Sequence, residues 1–103
     1  MRDIRYSRTF YDDLATLLEQ GIDRFGGKVV AEKRDLVFTT IATFLAHHPA
    51  AKRPHPTLGL RVYPISKTPF VVLYDFDDNE LRVHFILHKH ADLTALDPTS
   101  VEW

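Results

Sequence analysis

Eleven residues in the middle of the chain, Pro49-Ala-Ala-Lys-Arg-Pro-His-Pro-Thr-Leu-Gly59, divide it into halves of different period. Three prolines there cannot continue a helix and disfavour a central strand. At that length the segment is a loop inside one domain, not a boundary between two. Residues 1–103 are accordingly read as a single domain.

The first half has helical spacing. Phe10, Leu14, Leu17, Leu18, Ile22 and Phe25 recur on one face of a 3.6-residue period. Ser7 is a good N-cap type, and Asp12 and Asp13 lie in the early turns, where the helix dipole favours negative charge. Gly26-Gly27 ends this helix. Val30, Val37, Ile41, Phe44 and Leu45 predict a second helix over roughly residues 28–47. His47-His48-Pro49 stops it, because the residue before proline avoids the helical region. Two apolar-striped helices joined by two glycines make a helical hairpin. The charge run Glu32–Asp35 reads as its solvated face.

The second half alternates. Leu60–Ile65, the aromatic and β-branched run Phe70–Phe76, and Leu81–His88 each read as a strand. Asp77-Asp78-Asn79-Glu80 is the turn of a hairpin between the last two. Pro64 puts its strand at an edge or ends it there. Residues 2–6 make a weak first strand, and Ala91–Leu96 a turn of helix broken by Asp97-Pro98. The expected architecture is α+β: an N-terminal helical hairpin packed on one face of a small antiparallel β-sheet.

Composition excludes several classes. There is no Cys, hence no disulfide, zinc finger or thiol nucleophile. No apolar run is long enough to span a membrane, and Met1–Tyr6 are too polar for a secretory signal, so a cytoplasmic protein is expected. The net charge of −1 argues against an indiscriminate grip on nucleic acid by the whole surface, and leaves room for a local basic patch. That charge is unevenly spread. Residues 49–74 carry Lys52, Arg53, Arg61 and Lys67 and no acid, whereas residues 75–103 carry two cations against seven acids.

The element order, together with Leu58-Gly-Leu-Arg-Val-Tyr-Pro-Ile-Ser66, Phe70-Val-Val-Leu-Tyr74 and Ile86-Leu-His-Lys-His-Ala-Asp-Leu93, resembles the RelE/ParE toxin superfamily, and its ParE-like branch in particular. Arg24-Phe25-Gly26 and His48-Pro49 share the likeness. The resemblance implies a bacterial type II toxin that inhibits DNA gyrase by protein–protein binding, without cofactor or metal. It also implies a ParD-like antitoxin whose disordered tail folds over the toxin. The alternative is a ribosome-dependent mRNA endonuclease of the RelE kind, with Arg61 and His88 as its catalytic residues. A relative whose toxicity has decayed is a third reading.

RNA cleavage without a metal needs a base, a phosphate-stabilising donor and an acid. The candidates are Arg61, Lys67, Arg82, His84, His88 and His90. On strict alternation Arg82, His84, Ile86 and His88 share a face. Against cleavage, Phe70–Phe76 carries no basic residue, Leu96–Trp103 holds no Arg, Lys, His or Tyr, and the chain is slightly acidic.

The expected contact residues for target and antitoxin are therefore Arg61, Tyr63, Lys67, His88 and His90. Leu14, Leu18, Val37 and Ile41 are read as either core or antitoxin groove. No sequence-specific nucleic-acid binding is expected. A metal at His84, His88 and His90 is not expected, given the wide spacing and the lack of Cys. The structural alternatives are plain. Arg61 pairs with Asp75, Tyr63 and Tyr74 are half-buried strand aromatics, His88 closes its strand with a hydrogen bond, Lys67 is an exposed turn residue, and Trp103 clamps the tail.

Overall fold

Ser7 fixes where the first helix begins. In the computed structural model, which describes residues 2–103 and leaves Met1 of the polar opening stretch outside the described residues, Ser7 is fully buried. Its hydroxyl accepts from the Phe10 N–H at 2.8 Å and donates to the His84 carbonyl at 2.6 Å. It thereby links a short strand β1 (Asp3–Tyr6) to helix α1 (Arg8–Phe25) and ties both to a later strand. Gly26, with φ 84°, ends α1 in a conformation that a side chain disfavours. Helix α2 (Gly27–Thr40) then packs back against α1. A Cβ built on Gly21 would meet the Val30 side chain at 3.1 Å, so the two helices approach closely there.

The second helix does not run uniformly to residue 47. At Ile41–Leu45 it widens into a π turn, with the Ala46 N–H donating to the Ile41 carbonyl at 3.0 Å. Thr43 donates to the Thr39 carbonyl, a bond that competes with the regular ladder.

Strands β2 (Arg61–Pro64), β3 (Phe70–Phe76) and β4 (Glu80–His88) complete a sheet of order β1-β4-β3-β2. Pro64 lies at the edge, as expected. The sheet is mixed, however, not antiparallel throughout, because β1 runs parallel to β4. β1 feeds α1 directly, and the helical hairpin and two strands intervene before β4. Such a long connection permits parallel neighbours, which a tight turn does not.

A β-bulge changes the parity of β4. Leu73 faces Phe85 but Tyr74 faces Val83, leaving His84 as the extra residue. Leu81 and Val83 therefore point to the helices, while Phe85 and Leu87 point the other way. Arg82 and His84 are separated from Ile86 and His88 by the same step, so the expected common face does not exist.

Each face of the sheet has its own core. The helical side buries Phe10, Leu14, Val37, Ile41, Leu45, Val72, Tyr74, Leu81 and Val83. The opposite side buries Leu60, Val71, Leu73 and Phe85 beneath Leu93, Leu96 and Val101 of the C-terminal segment. That segment makes two 3-10 turns, Leu93–Ala95 and Pro98–Ser100, each opened by an aspartate that accepts from the amide two residues on. It then returns to α1, where the Glu102 carbonyl accepts from the Arg8 and Thr9 amides. Among the described residues no helix is long and apolar enough to cross a membrane.

For Leu14, Val37 and Ile41 the structure decides between core and groove in favour of core. Leu14, Val37 and Ile41 are buried against the sheet, and Leu18 is half-buried against the same cluster. Leu14, Val37 and Ile41 are core, because they lie on the face that the sheet covers, whereas Leu18, at the edge of that cluster, also lines the cleft between the helices and the end of the sheet.

Candidate functional site

The stripe of α1 outruns the sheet. Ser7 is anchored at the level of Val83, and from there the 18-residue helix extends about 27 Å. Phe10 and Leu14 are buried and Leu17 and Leu18 half-buried, but Ile22 is 49% and Phe25 62% exposed. The tip of the hairpin, with Val29 of α2, thus presents apolar side chains with no sheet beneath them.

A cleft of about 730 Å³ lies between this tip and the end of the sheet. Leu17, Val30 and Phe70 contribute apolar walls, with Phe25 and Val29 at the hairpin side. Beside the neutral Gln20 and Thr68, its polar lining is basic: Arg24 and Lys33 from the helices, Lys67 from the β2–β3 turn, and His88 and Lys89 from the end of β4. No carboxylate lines it. An apolar cleft with a cationic rim fits an amphipathic acidic segment.

The turn that supplies Lys67 is held in a particular shape. Lys67 has φ 64°, the left-handed region that favours glycine. The Lys33 ammonium donates to the Lys67 carbonyl, and Thr68 bonds the Ile65 carbonyl and the Phe70 amide, bracing the turn on both sides. A cation is thus placed where the backbone favours glycine. Opposite, Nδ1 of His88 accepts from the His90 amide at 3.2 Å, the hydrogen bond at the strand's end, and its ring lies 5.3 Å from the exposed His90 ring.

The five expected contact residues do not form one group. Lys67 and His88 line the cleft and His90 stands beside it. Arg61 and Tyr63 lie toward the other end of the sheet. Arg61 pairs in register with Tyr74 and His88 with Phe70, four residues apart along β3 and on strands either side of it. Their backbones are separated by about 16 Å. The Arg61 guanidinium turns further away, lying over the Phe76 ring at 5.0 Å and donating to the Lys52 carbonyl. It does not pair with Asp75. Tyr63 packs on Phe44 at 5.4 Å, and the buried Tyr74 hydroxyl donates to the Pro49 carbonyl at 2.7 Å.

Asp75 belongs to a different network. Arg82 Nε lies 2.8 Å and His84 Nε2 3.0 Å from one Asp75 oxygen, and Arg82 also reaches Asp77 and Glu80. Burial pushes the Asp75 carboxyl up, but the hydrogen bonds from Arg82 and His84 outweigh it and hold the group below the usual range. Asp77 is pulled down to about 2, first by Arg82 and then by the turn amides of Glu80 and Asn79. His84 also lies edge-on to Trp103 at 4.8 Å, and Arg5 lies over the same indole at 4.8 Å, so Trp103 does clamp the tail. This cluster is on the tail side of the sheet, away from His88.

By sequence, Arg24 and Lys89 stand only within the family-like segments, Phe25 there and in the helical stripe, and Lys33 only within a solvated charge run; none of them, nor Val29, is marked as a contact residue. A local signal for the tip was Phe25, a large apolar residue just before two glycines at the far end of a long stripe.

A family model described as the ParE toxin of the type II toxin–antitoxin system parDE matches residues 4–93. No curated protein sequence matches the chain. Among solved structures, one from the chromosomal ParDE TA system of P. aeruginosa superposes with a TM-score of 0.74 at 17% identity, covering 85% of this chain and 96% of that one. That likeness shows a shared fold.

Proposed function

The chain belongs to the ParE toxin family of type II toxin–antitoxin systems, and on that premise we propose that it arrests growth by binding DNA gyrase in the bacterial cytoplasm. A cognate ParD-like antitoxin holds it inactive. Binding traps gyrase on cleaved DNA, so that chromosomes break, and the toxin itself makes or breaks no bond. The antitoxin seats an amphipathic acidic segment in the cleft, with apolar side chains against Phe25 and Val29 and carboxylates toward Arg24, Lys67 and Lys89.

The observation that favours protein docking over RNA cleavage is the separation of Arg61 from His88. Residues about 16 Å apart, with one side chain turned away, do not converge on a single phosphate. The left-handed Lys67 supports the cleft as the docking surface, since it carries a strain of about 1 kcal/mol while placing a cation at the rim.

The test is induction in cells carrying reporters for DNA breakage and for mRNA cleavage. The reading predicts that expression without antitoxin raises the DNA-damage reporter and leaves transcripts intact. Co-expression of the cognate antitoxin restores growth. Cleaved transcripts with a silent DNA-damage reporter would refute it.

A further inference from the structure

The end of the sheet opposite the cleft carries a second positive surface, which the antitoxin reading does not use. Residues 36–74 contain no Asp or Glu. The fold places Phe44 and His47–Ala51 of that stretch beside Arg2, ahead of β1, and Phe76, at the end of β3, and brings Lys52 to Arg61 at the start of β2. Phe76 is the centre: the Arg2 guanidinium lies 5.1 Å and that of Arg61 5.0 Å from its ring. Arg2 donates to the Asp77 main-chain carbonyl at 2.6 Å, and Arg61 to that of Lys52. Lys52 and Arg53 are exposed on the adjoining loop. Among the described residues none of these four cations is paired with a carboxylate. Asp77 turns its carboxylate to Arg82, which leaves the exposed Asp3 and Asp78 as opposing charges nearby.

The chemistry differs from that of the cleft. There, exposed Phe25 and Val29 offer apolar anchors for a peptide. Here the central ring is already faced by guanidiniums, which are braced by main-chain carbonyls and still have N–H groups to offer. Planar cations held on an aromatic surface suit phosphate oxygens. The adjoining hollow, lined by Phe44, His47, His48 and Ala50, adds no carboxylate.

We propose that this surface grips the phosphate backbone of duplex DNA without reading its sequence. It goes beyond the gyrase reading, because the contact needs no gyrase. In a poisoned gyrase–DNA complex it gives the toxin a hold on the DNA as well as on the enzyme.

The experiment is fluorescence anisotropy of the full-length protein with a labelled random-sequence duplex and no gyrase, titrated from about 50 mM salt upward. Binding is expected, with log K falling against log salt at a slope of roughly −3, as for three to four phosphate contacts. Arg61→Gln should weaken it about threefold to tenfold and flatten the slope by about 1. Lys52→Gln/Arg53→Gln changes two exposed loop side chains and keeps both Arg61 and the Lys52 carbonyl it bonds; it should act likewise, which covers any misfolding of the first variant. Lys67→Gln/Lys89→Gln in the cleft should leave DNA binding unchanged. No binding at low salt, or loss on the cleft substitutions instead, would overturn the proposal. So would a poly-glutamate peptide occupying this end when DNA does not. Because gyrase is absent, none of these results bears on gyrase poisoning.

Discussion

Ser7 caps a helix, satisfies a strand carbonyl and closes the parallel junction through its own amide, which donates to Val83 at 3.0 Å. Ser7→Ala leaves the Phe10 amide and His84 carbonyl short of a partner in a buried place. Urea unfolding should show a loss of about 2 kcal/mol with an unchanged m-value. Tyr74→Phe is a subtler version of the same test. It keeps the packing and strands the Pro49 carbonyl, and should cost about 1 kcal/mol. Lys67→Gly should run the other way. Relief of the left-handed strain gains up to about 1 kcal/mol, while loss of the cation weakens antitoxin binding. Ser7 was legible as a cap from its type and place. Its bond to His84 was not, because nothing local says which strand will lie beside it.

At the scale of elements, periodicity served the helices well and β4 poorly. The bounds of α1 follow from Ser7 and Gly26, and both were readable. The bulge at His84 was not, since one inserted residue leaves no mark on an alternating stretch yet moves every later side chain to the other face. The expected Arg82–His84–Ile86–His88 face failed for that reason alone. The bulge also places His84 beside Asp75 in the Arg82 network, which has a consequence for acid stability. Asp75 and Asp77 have carboxyls lower in the fold than in the open chain. Their contribution is therefore present above about pH 4 and is lost as the pH falls through about 2, where Asp77 is half protonated in the fold. Arg82→Gln should flatten the stability–pH curve below pH 4 and change its shape little between pH 6 and 8, as followed by circular dichroism.

The whole molecule separates its charges by place more than by amount. A net charge of −1 conceals a basic cleft at one end of the sheet and a basic surface at the other, with the carboxylate-rich β3–β4 turn near the latter. The acid-free middle of the chain was visible in the sequence, and so were Lys67 and His88. The cleft was not, because Arg24 and Lys33 reach it only when the hairpin tip overhangs the sheet. Charge reversal by Lys67→Glu/Lys89→Glu should weaken the antitoxin about tenfold or more at low salt, less as salt rises, and mostly through slower association. The most direct test of the account is a plasmid cleavage assay with purified gyrase, ATP and this toxin freed from its antitoxin. Linear plasmid accumulating after detergent and protease, and suppressed by adding the antitoxin back, is the predicted result. Intact, normally supercoiled plasmid from a preparation that still binds its antitoxin would contradict it.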